Sequence, residues 1–90
     1  MDVRICKKND RELEVEVVGD KTIAVLIKSY ILQDERAEFA AFAQGHPLEH
    51  SIRLYLRVRE GDPEAVLKKA VERVKADLIT FRAELEEALK

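Results

Sequence analysis

The sequence predicts an α+β fold of two layers, in which a four-stranded, mainly antiparallel sheet carries two helices on one face. Four short segments alternate between apolar and other residues with a period of two, which is typical of strands buried on one side. Two further segments place apolar residues at helical spacing. The segments follow the order ββαββα, and this order favours helices packed on one side of an antiparallel sheet.

The first two strands form a predicted hairpin. Val3 and Ile5 alternate with Arg4 and Cys6, and the alternation resumes after a polar turn at residues 8–10. Two such runs joined by a short polar turn are typical of a β-hairpin. The apolar positions of the second strand are Leu13, Val15 and Val17. Their neighbours form an acidic row, which we expect on the solvent face, at Glu12, Glu14 and Glu16.

The first helix is predicted to follow Gly19, with Asp20 as a suitable N-cap. One apolar stripe recurs at helical spacing along it, at Ile23, Leu26, Ile27, Tyr30 and Ile31. Further apolar residues lie off this stripe, at Ala24, Val25 and Leu32. A helix that is apolar around so much of its circumference usually has more than one buried side. We therefore expect one side to pack on the chain's own sheet and the other on a further surface.

The third strand, within residues 36–43, is predicted to bend, because Phe39 and Phe42 differ in parity and strict alternation fails. The fourth, within residues 51–59, alternates cleanly, and its outward side chains are Arg53, Tyr55, Arg57 and Arg59. Basic residues interleaved with an aromatic can follow a phosphate backbone and stack on bases. If this strand lies beside the acidic row, however, the two rows neutralise each other as cross-strand pairs, which is the interpretation we favour.

The last helix is predicted to be longer than the sheet that it can cover. Asp62 is a suitable N-cap and Pro63 a suitable first residue. From Pro63 to Lys90 the chain has 28 residues, or about 42 Å of helix, whereas strands of the predicted length make a sheet only about 20 Å across. Apolar residues nevertheless form a heptad seam along the whole helix, at Leu67, Val71, Val74, Leu78, Phe81, Leu85 and Ala88.

The C-terminal half of this helix carries four large apolar side chains, Leu78, Phe81, Leu85 and Leu89. Burying them is worth about 6–12 kcal/mol, which is comparable to the whole stability of a domain, about 5–15 kcal/mol. A bend that returns the helix to its own domain is the alternative, but no Gly or Pro lies between Pro63 and Lys90 to allow it. We therefore predict that this half of the helix packs on another subunit.

Length and composition favour one domain, residues 1–90, working inside a cell. The net charge of −2, from 16 basic and 18 acidic residues, gives no reason to expect nucleic acid or an anionic membrane as the main partner. Cys6 is the single cysteine, so we expect neither a disulfide framework nor a zinc cluster, and a reducing, cytoplasmic location. The N-terminus lacks the apolar core of a signal peptide, and no segment is predicted to span a membrane.

Few residues suggest chemistry. His46 and His50 have the spacing of a helical metal pair, but Pro47 disfavours a helix there, and we expect loop histidines without a metal. Ser29 and Ser51 lack the glycines of a nucleophile elbow, and the three glycines of the chain are too scattered to cradle a phosphate. The sequence thus predicts no catalytic residue, no metal site and no cofactor.

Four stretches carry a resemblance to a known family: "GDKTIAVLI" at 19–27, "AEFAAFAQGHPL" at 37–48, "LYLRV" at 54–58 and "GDPEAVLKKAVERV" at 61–74. In this order they resemble the family of archaeal RNA polymerase subunit L, which includes the eleventh subunit of eukaryotic polymerase II and is related to the N-terminal domain of bacterial polymerase α. The resemblance covers nearly the whole chain. Lys21 stands where the family usually has His, and Ala24–Val25 stand for Gly–Asn.

The resemblance implies a non-catalytic subunit of a nucleotidyltransferase, DNA-directed RNA polymerase. Such a subunit forms a heterodimer with the D-type subunit of the polymerase through two helices of each, and the pair forms, with subunits N and P, the platform for the large catalytic subunits. No sequence-specific contact with DNA is expected. The resemblance places near the partner Asp20, Thr22, Ile23, Leu26, Phe39, Phe42, His46 and Pro47. Periodicity alone adds Tyr30, Val74, Leu78, Phe81 and Leu85.

Two alternatives describe a small homodimeric α+β protein instead, and a homodimer of the isolated chain is compatible with the leading interpretation too. One is an enzyme similar to pterin-carbinolamine dehydratases, whose sites need a cluster of histidines, whereas this chain has only His46 and His50. The other is an RNA-binding homodimer that uses Arg53, Arg57 and Arg59, which requires steeply salt-dependent binding.

Overall fold

The computed structural model describes residues 2–19, 21–44 and 50–90, which form four strands and two helices in the predicted order. The elements are β1 (Asp2–Lys8), β2 (Glu12–Val18), α1 (Lys21–Ile31), β3 (Ala37–Gln44), β4 (Ser51–Val58) and α2 (Pro63–Ala88). The predicted N-cap Asp20 lies outside the described residues. Among those that are described, neither helix is long and apolar enough to cross a membrane.

The sheet has the strand order β1-β2-β4-β3, and each neighbouring pair is antiparallel. The predicted hairpin of β1 and β2 is therefore confirmed. Its turn is held by Asn9, whose side-chain Oδ1 accepts the backbone N–H of Arg11 at 3.0 Å and that of Glu12 at 2.8 Å. Asparagine suits this place because its short amide can replace a backbone acceptor within a turn.

The predicted bend in β3 is confirmed as a register shift between Ala37 and Phe39. Past the shift, Phe39 lies opposite Arg57, and Phe42 lies opposite Leu54. Since paired residues in an antiparallel sheet point to the same face, the two phenylalanines lie on opposite faces. The helices cover one face, called here the helix side, and Phe42 lies on it. Phe39 lies on the other, called here the open face.

Helix α1 packs on the helix side with part of the predicted stripe, joined by Ala24 from outside it. The fully buried residues are Ala24 and Ile31, with Ile27 partly buried between them, whereas Ile23 and Leu26 of the predicted stripe stay partly exposed. Ala24 was expected off the stripe. The apolar arc of α1 is wide enough to serve two sides, and the side that contains the small alanine can approach the sheet more closely.

Helix α2 begins at a well-formed cap. The Asp62 side chain accepts the backbone N–H of Glu64 at 3.0 Å, and Pro63 is the first helical residue, as predicted. Gly61 before it has a φ of +80°, where a side chain is strained, and a Cβ there would lie 3.3 Å from the Cδ of Arg36. The strand end, the glycine and the cap together fix where α2 leaves the sheet.

The inner side of α2 consists of Val66, Ala70 and Val74, which are buried against the sheet and α1. The predicted heptad seam is thus displaced in the first half of the helix, where Leu67 is only partly buried and Val71 is exposed. The physical reason is that a helix on a sheet uses a row at i, i+4, i+8, whereas a seam shared between helices alternates steps of three and four. Beyond Val74 every residue of the chain is exposed.

We expect Ile31→Ala to lower the free energy of unfolding by about 2–5 kcal/mol, because the side chain is fully buried and its loss leaves a cavity. Leu32→Ala is the matched control, since the neighbouring leucine is exposed and its truncation should cost less than about 0.5 kcal/mol. Urea-induced unfolding of the isolated chain measures both. Equal losses for the two variants would contradict the packing of α1.

Candidate subunit interface

An apolar cleft separates α1 from α2, and we call it the interhelical groove. Its volume is about 430 Å³. The lining residues are Ile23, Leu26, Ile27, Val71, Val74, Lys75, Leu78, Ile79 and Arg82. Four of these residues were predicted to lie at the partner surface, namely Ile23, Leu26, Val74 and Leu78. Val71 was predicted as part of the heptad seam, and Ile79 was missed because it lies off that seam. The only signal for Ile79 in the sequence is its spacing of eight residues from Val71, which brings the two residues near the same side of a helix.

The second apolar surface is the overhang, which we define as residues 75–88 of α2. Phe81 lies seven residues beyond Val74, and seven residues make two turns, so both lie on the same side of the helix. Leu85 continues this row one turn later. The side chains of Phe81 and Leu85 are nonetheless 61% and 44% exposed. The side of α2 that packs in the chain's own core therefore continues uncovered past the sheet.

Exposed apolar surface on this scale is unusual for a chain that works alone. Single exposed hydrophobic residues are normal, but contiguous patches that adjoin a cleft mark interaction surfaces. Here the groove and the overhang share Leu78 and Ile79 and are continuous. The prediction that Phe81 and Leu85 extend beyond the chain's own sheet is confirmed.

Tyr30 ties α1 to α2 within the chain. Its hydroxyl donates to Oδ2 of Asp77 at 2.6 Å, and the guanidinium carbon of Arg73 lies 5.3 Å from the ring centre. Arg73 also donates to Oε1 of Gln33 at 2.7 Å. The hydrogen bond to the Asp77 carboxylate raises the pKa of the Tyr30 hydroxyl above its ordinary value of 10.0. These contacts fix the separation of the two helices and thereby the width of the groove.

The other predicted interface residues lie in different places. Phe42 is on the helix side, where Nζ of Lys28 lies 4.8 Å from its ring centre, and Thr22 is exposed in the first turn of α1. Phe39 is on the open face, against the ring of Tyr55 at 5.9 Å, so the structure does not bring it together with the groove. Three further predicted residues lie outside the described part of the chain, namely Asp20, His46 and Pro47.

The open face carries the predicted charge pairs. Glu16 lies opposite Arg53 and Glu12 opposite Arg57 in the register of β2 and β4. Glu16 Oε1 accepts from Arg4 Nη1 at 3.1 Å, and Glu16 Oε2 lies 3.8 Å from Arg53 Nε. Pairing of the acidic and basic rows is therefore confirmed. The expectation that the acidic row faces solvent is wrong for Glu16, which is only 6% exposed because the two arginines cover it.

Metal ligation finds no support in the described residues, where no group of three or more His, Cys, Asp and Glu side chains is placed to hold an ion. His50 is exposed just before β4, and Cys6 is exposed on β1. The other histidine of the predicted loop, His46, lies outside the described part.

The sheet has a charge-paired open face, and its two helices expose continuous apolar surface of the kind that marks a protein interaction site. The chain belongs to the RNA polymerase Rpb3/Rpb11 dimerisation domain family, whose sequence profile matches residues 12–84. The family resemblance inferred from the four quoted stretches is thus confirmed.

Two relatives illustrate this membership, and one solved structure has the same fold. The chain is 34% identical over 92 residues to the DNA-directed RNA polymerase subunit Rpo11 of Methanothrix thermoacetophila, covering 100% of both proteins. It is 31% identical over 88 residues to the Rpo11 of Sulfurisphaera tokodaii, covering 94% of each. The crystal structure of DNA-directed RNA polymerase subunit L from Thermoplasma acidophilum is similar in fold, with a TM-score of 0.82 at 23% identity over 96% of this chain and 86% of that one. The predicted fold class is confirmed.

Acid should weaken the open face through Glu12. Hydrogen bonds from Tyr55, Asn9 and Lys7 lower the pKa of Glu12 from its ordinary 4.5 to about 2. A carboxylate with a depressed folded-state pKa stabilises the fold fully above pH 4.5, and this contribution is lost as the pH falls towards 2. Asp34, also with a pKa of about 2, should contribute in the same range.

We therefore expect Glu12→Gln to lose less stability than the unmodified chain between pH 4.5 and pH 2, because glutamine does not titrate. Urea midpoints measured across this range test the difference. Parallel curves for the two proteins would contradict the role of the Glu12 carboxylate.

Proposed function

We propose that this chain is a non-catalytic assembly subunit of archaeal DNA-directed RNA polymerase that pairs with the D-type subunit of that enzyme. The observation that carries the proposal is the uncovered apolar side of α2, which runs from the core through Val74 to Phe81 and Leu85. Membership in a dimerisation family and relatives named as polymerase subunits support it.

The proposed interface has two parts with different roles. The interhelical groove accepts apolar side chains of the partner between α1 and α2, next to Ile23 and Leu26. The overhang extends away from the chain's own sheet and packs on the partner domain. Tyr30 is included because its hydroxyl joins α1 to Asp77 of α2. Five further residues are proposed from the resemblance alone, namely Asp20, Thr22, Phe42, His46 and Pro47. Phe39, on the open face, would contact a different surface of the partner or another subunit.

The proposed role in the polymerase is structural. The pair with the D-type subunit forms an α-like platform, which subunits N and P complete and on which the large catalytic subunits assemble. Residues 1–90 act as one dimerisation domain, and no active site, metal or cofactor is proposed on this chain. Such a subunit would act in the cytoplasm, where an archaeal cell transcribes its DNA.

Energetics favour pairing over a free chain. Large apolar side chains contribute about 1.5–3 kcal/mol each when they are fully buried, and several of them lie along the overhang and groove. Part of this gain is offset by the loss of translational and rotational freedom on association, an estimated cost of about 4–15 kcal/mol. The isolated chain is expected to self-associate weakly or to be unstable, and the partner to convert this surface into a stable interface.

We expect Phe81→Asp and Leu85→Asp each to weaken pairing with a D-type subunit at least about 100-fold. Each substitution would bury an unpaired carboxylate in an apolar interface, which is costly. Isothermal titration of the two purified subunits, with sedimentation velocity of the mixture, measures the loss. Because both side chains are exposed in the isolated chain, the far-UV circular dichroism should not change.

Thr80→Asp is the matched control. It adds the same charge to the same exposed segment, but position 80 is turned about 100° from Phe81 and about 140° from Leu85, away from the apolar row. Unchanged pairing by this variant is expected. If the Phe81 and Leu85 variants also pair normally, or if the unmodified subunits form no complex, the proposal is wrong.

A further inference from the structure

We propose that the apolar row of β1, formed by Val3 and Ile5, is a separate docking surface for the long terminal helix of the partner domain. This inference rests on the proposed function and specifies which part of the partner lies where. The two side chains are 63% and 61% exposed, although they belong to a regular strand of the sheet. Two neighbouring apolar side chains on one face, next to an exposed apolar cleft, are typical of an interaction surface.

Val3 and Ile5 lie on the helix side of the sheet. In the register of β1 and β2, Val3 is opposite Val17 and Ile5 is opposite Val15. Directly opposed residues of an antiparallel pair point to the same face, and both valines belong to the core. The row on β1 is therefore an extension of the core layer rather than part of the charged open face.

The chain's own helices do not cover this extension. β1 is an edge strand, and all seven of its residues are exposed. The opposite edge is different, because α1 packs against β3 and buries Ala40 on the helix side. The helical layer is thus shifted across the sheet, and the bare part lies at β1.

The bare part of the sheet is continuous with the interhelical groove. A hollow of about 120 Å³ lies between β1 and the helices, with Val3 and Val17 in its wall. Ile23, Ile27 and Val71 line both this hollow and the groove. A partner seated in the groove can therefore reach Val3 and Ile5 without crossing polar surface.

The occupant follows from the geometry of the overhang. Domains of one family that pair through matching surfaces are related by an approximate two-fold axis, so each contributes an overhang to the other. An overhang of 14 residues is about 21 Å long, whereas the outer strands of a four-stranded sheet lie about 14 Å apart. Since its apolar side is the side that packs on a sheet, the partner's overhang would present that side to β1.

The test uses the full chain with Cys6→Ser, which removes its single cysteine, and Ile5→Cys, which places a thiol in the row. We expect a D-type subunit to slow alkylation of this thiol at least about tenfold, as followed by the intact mass of the chain. Glu35→Cys in the same background is the control, because that residue is also exposed but belongs to no surface proposed to bind the partner, and its rate should change less than about twofold.

Two further measurements identify the occupant and its contribution. A benzophenone amino acid at position 5 should cross-link to the terminal helix of the partner, as located by peptide mass spectrometry. The pair Val3→Thr and Ile5→Thr keeps β-branched side chains on the strand, and together they should raise the Kd about tenfold or more by making the row polar.

The outcomes separate this inference from the proposed function. If the complex forms but the thiol at position 5 reacts at its free rate, the inference is wrong and the proposed function stands. Concentration-dependent protection of the chain alone would assign the row to a second copy, and a cross-link to another partner segment would assign it elsewhere; either result overturns the inference. If no complex forms, both are overturned.

Discussion

The inner side of α2 is apolar from Val66 in the core to Leu85 in the overhang, while the surface that the chain itself provides for it ends at Val74. A regular helix repeats its sides every few residues, so the packing that secures the first half of α2 also determines the direction of the apolar row in the second half. The Asp62 cap and Gly61 set where this row begins. The contacts proposed for the overhang depend on that alignment.

The two faces of the sheet differ in whether their surface is charged or apolar. The carboxylates of the open face find partners within the chain. Glu16 is covered by Arg4 and Arg53, and Glu12 accepts a hydrogen bond from Tyr55. These pairings balance the acidic and basic rows, so the face is neither apolar nor strongly charged. The helix side is different, because α2 extends its apolar row past the sheet and β1 extends the apolar layer of the sheet past the helices. Both surfaces of the proposed interface therefore lie on this side of the molecule.

Much of the fold could be predicted from the sequence, because the hairpin, the bend at Phe39 and the excess length of α2 each leave a local pattern. The side of α1 that faces the sheet could not be predicted in full, because the apolar arc of this helix is wide. Only the packed structure shows that Ala24 is among the residues buried against the sheet. Burial of Glu16 depends on arginines from two other strands, and the exposure of Val3 and Ile5 depends on where the helices lie across the sheet. Such features depend on how segments that are distant in the sequence pack together, and neither hydrophobic periodicity nor local propensity carries that information.

The exposed row of Phe81 and Leu85 bears on how quickly the chain would be degraded in a cell. A copy made in excess presents the kind of apolar surface that chaperones and proteases select, whereas a copy bound in a complex is hidden from them. Binding also stabilises the native state by mass action, so the proposed pairing would tie the turnover of this chain to the supply of its partner. Stoichiometry between two separately synthesised proteins can thus be maintained by degradation of the orphan.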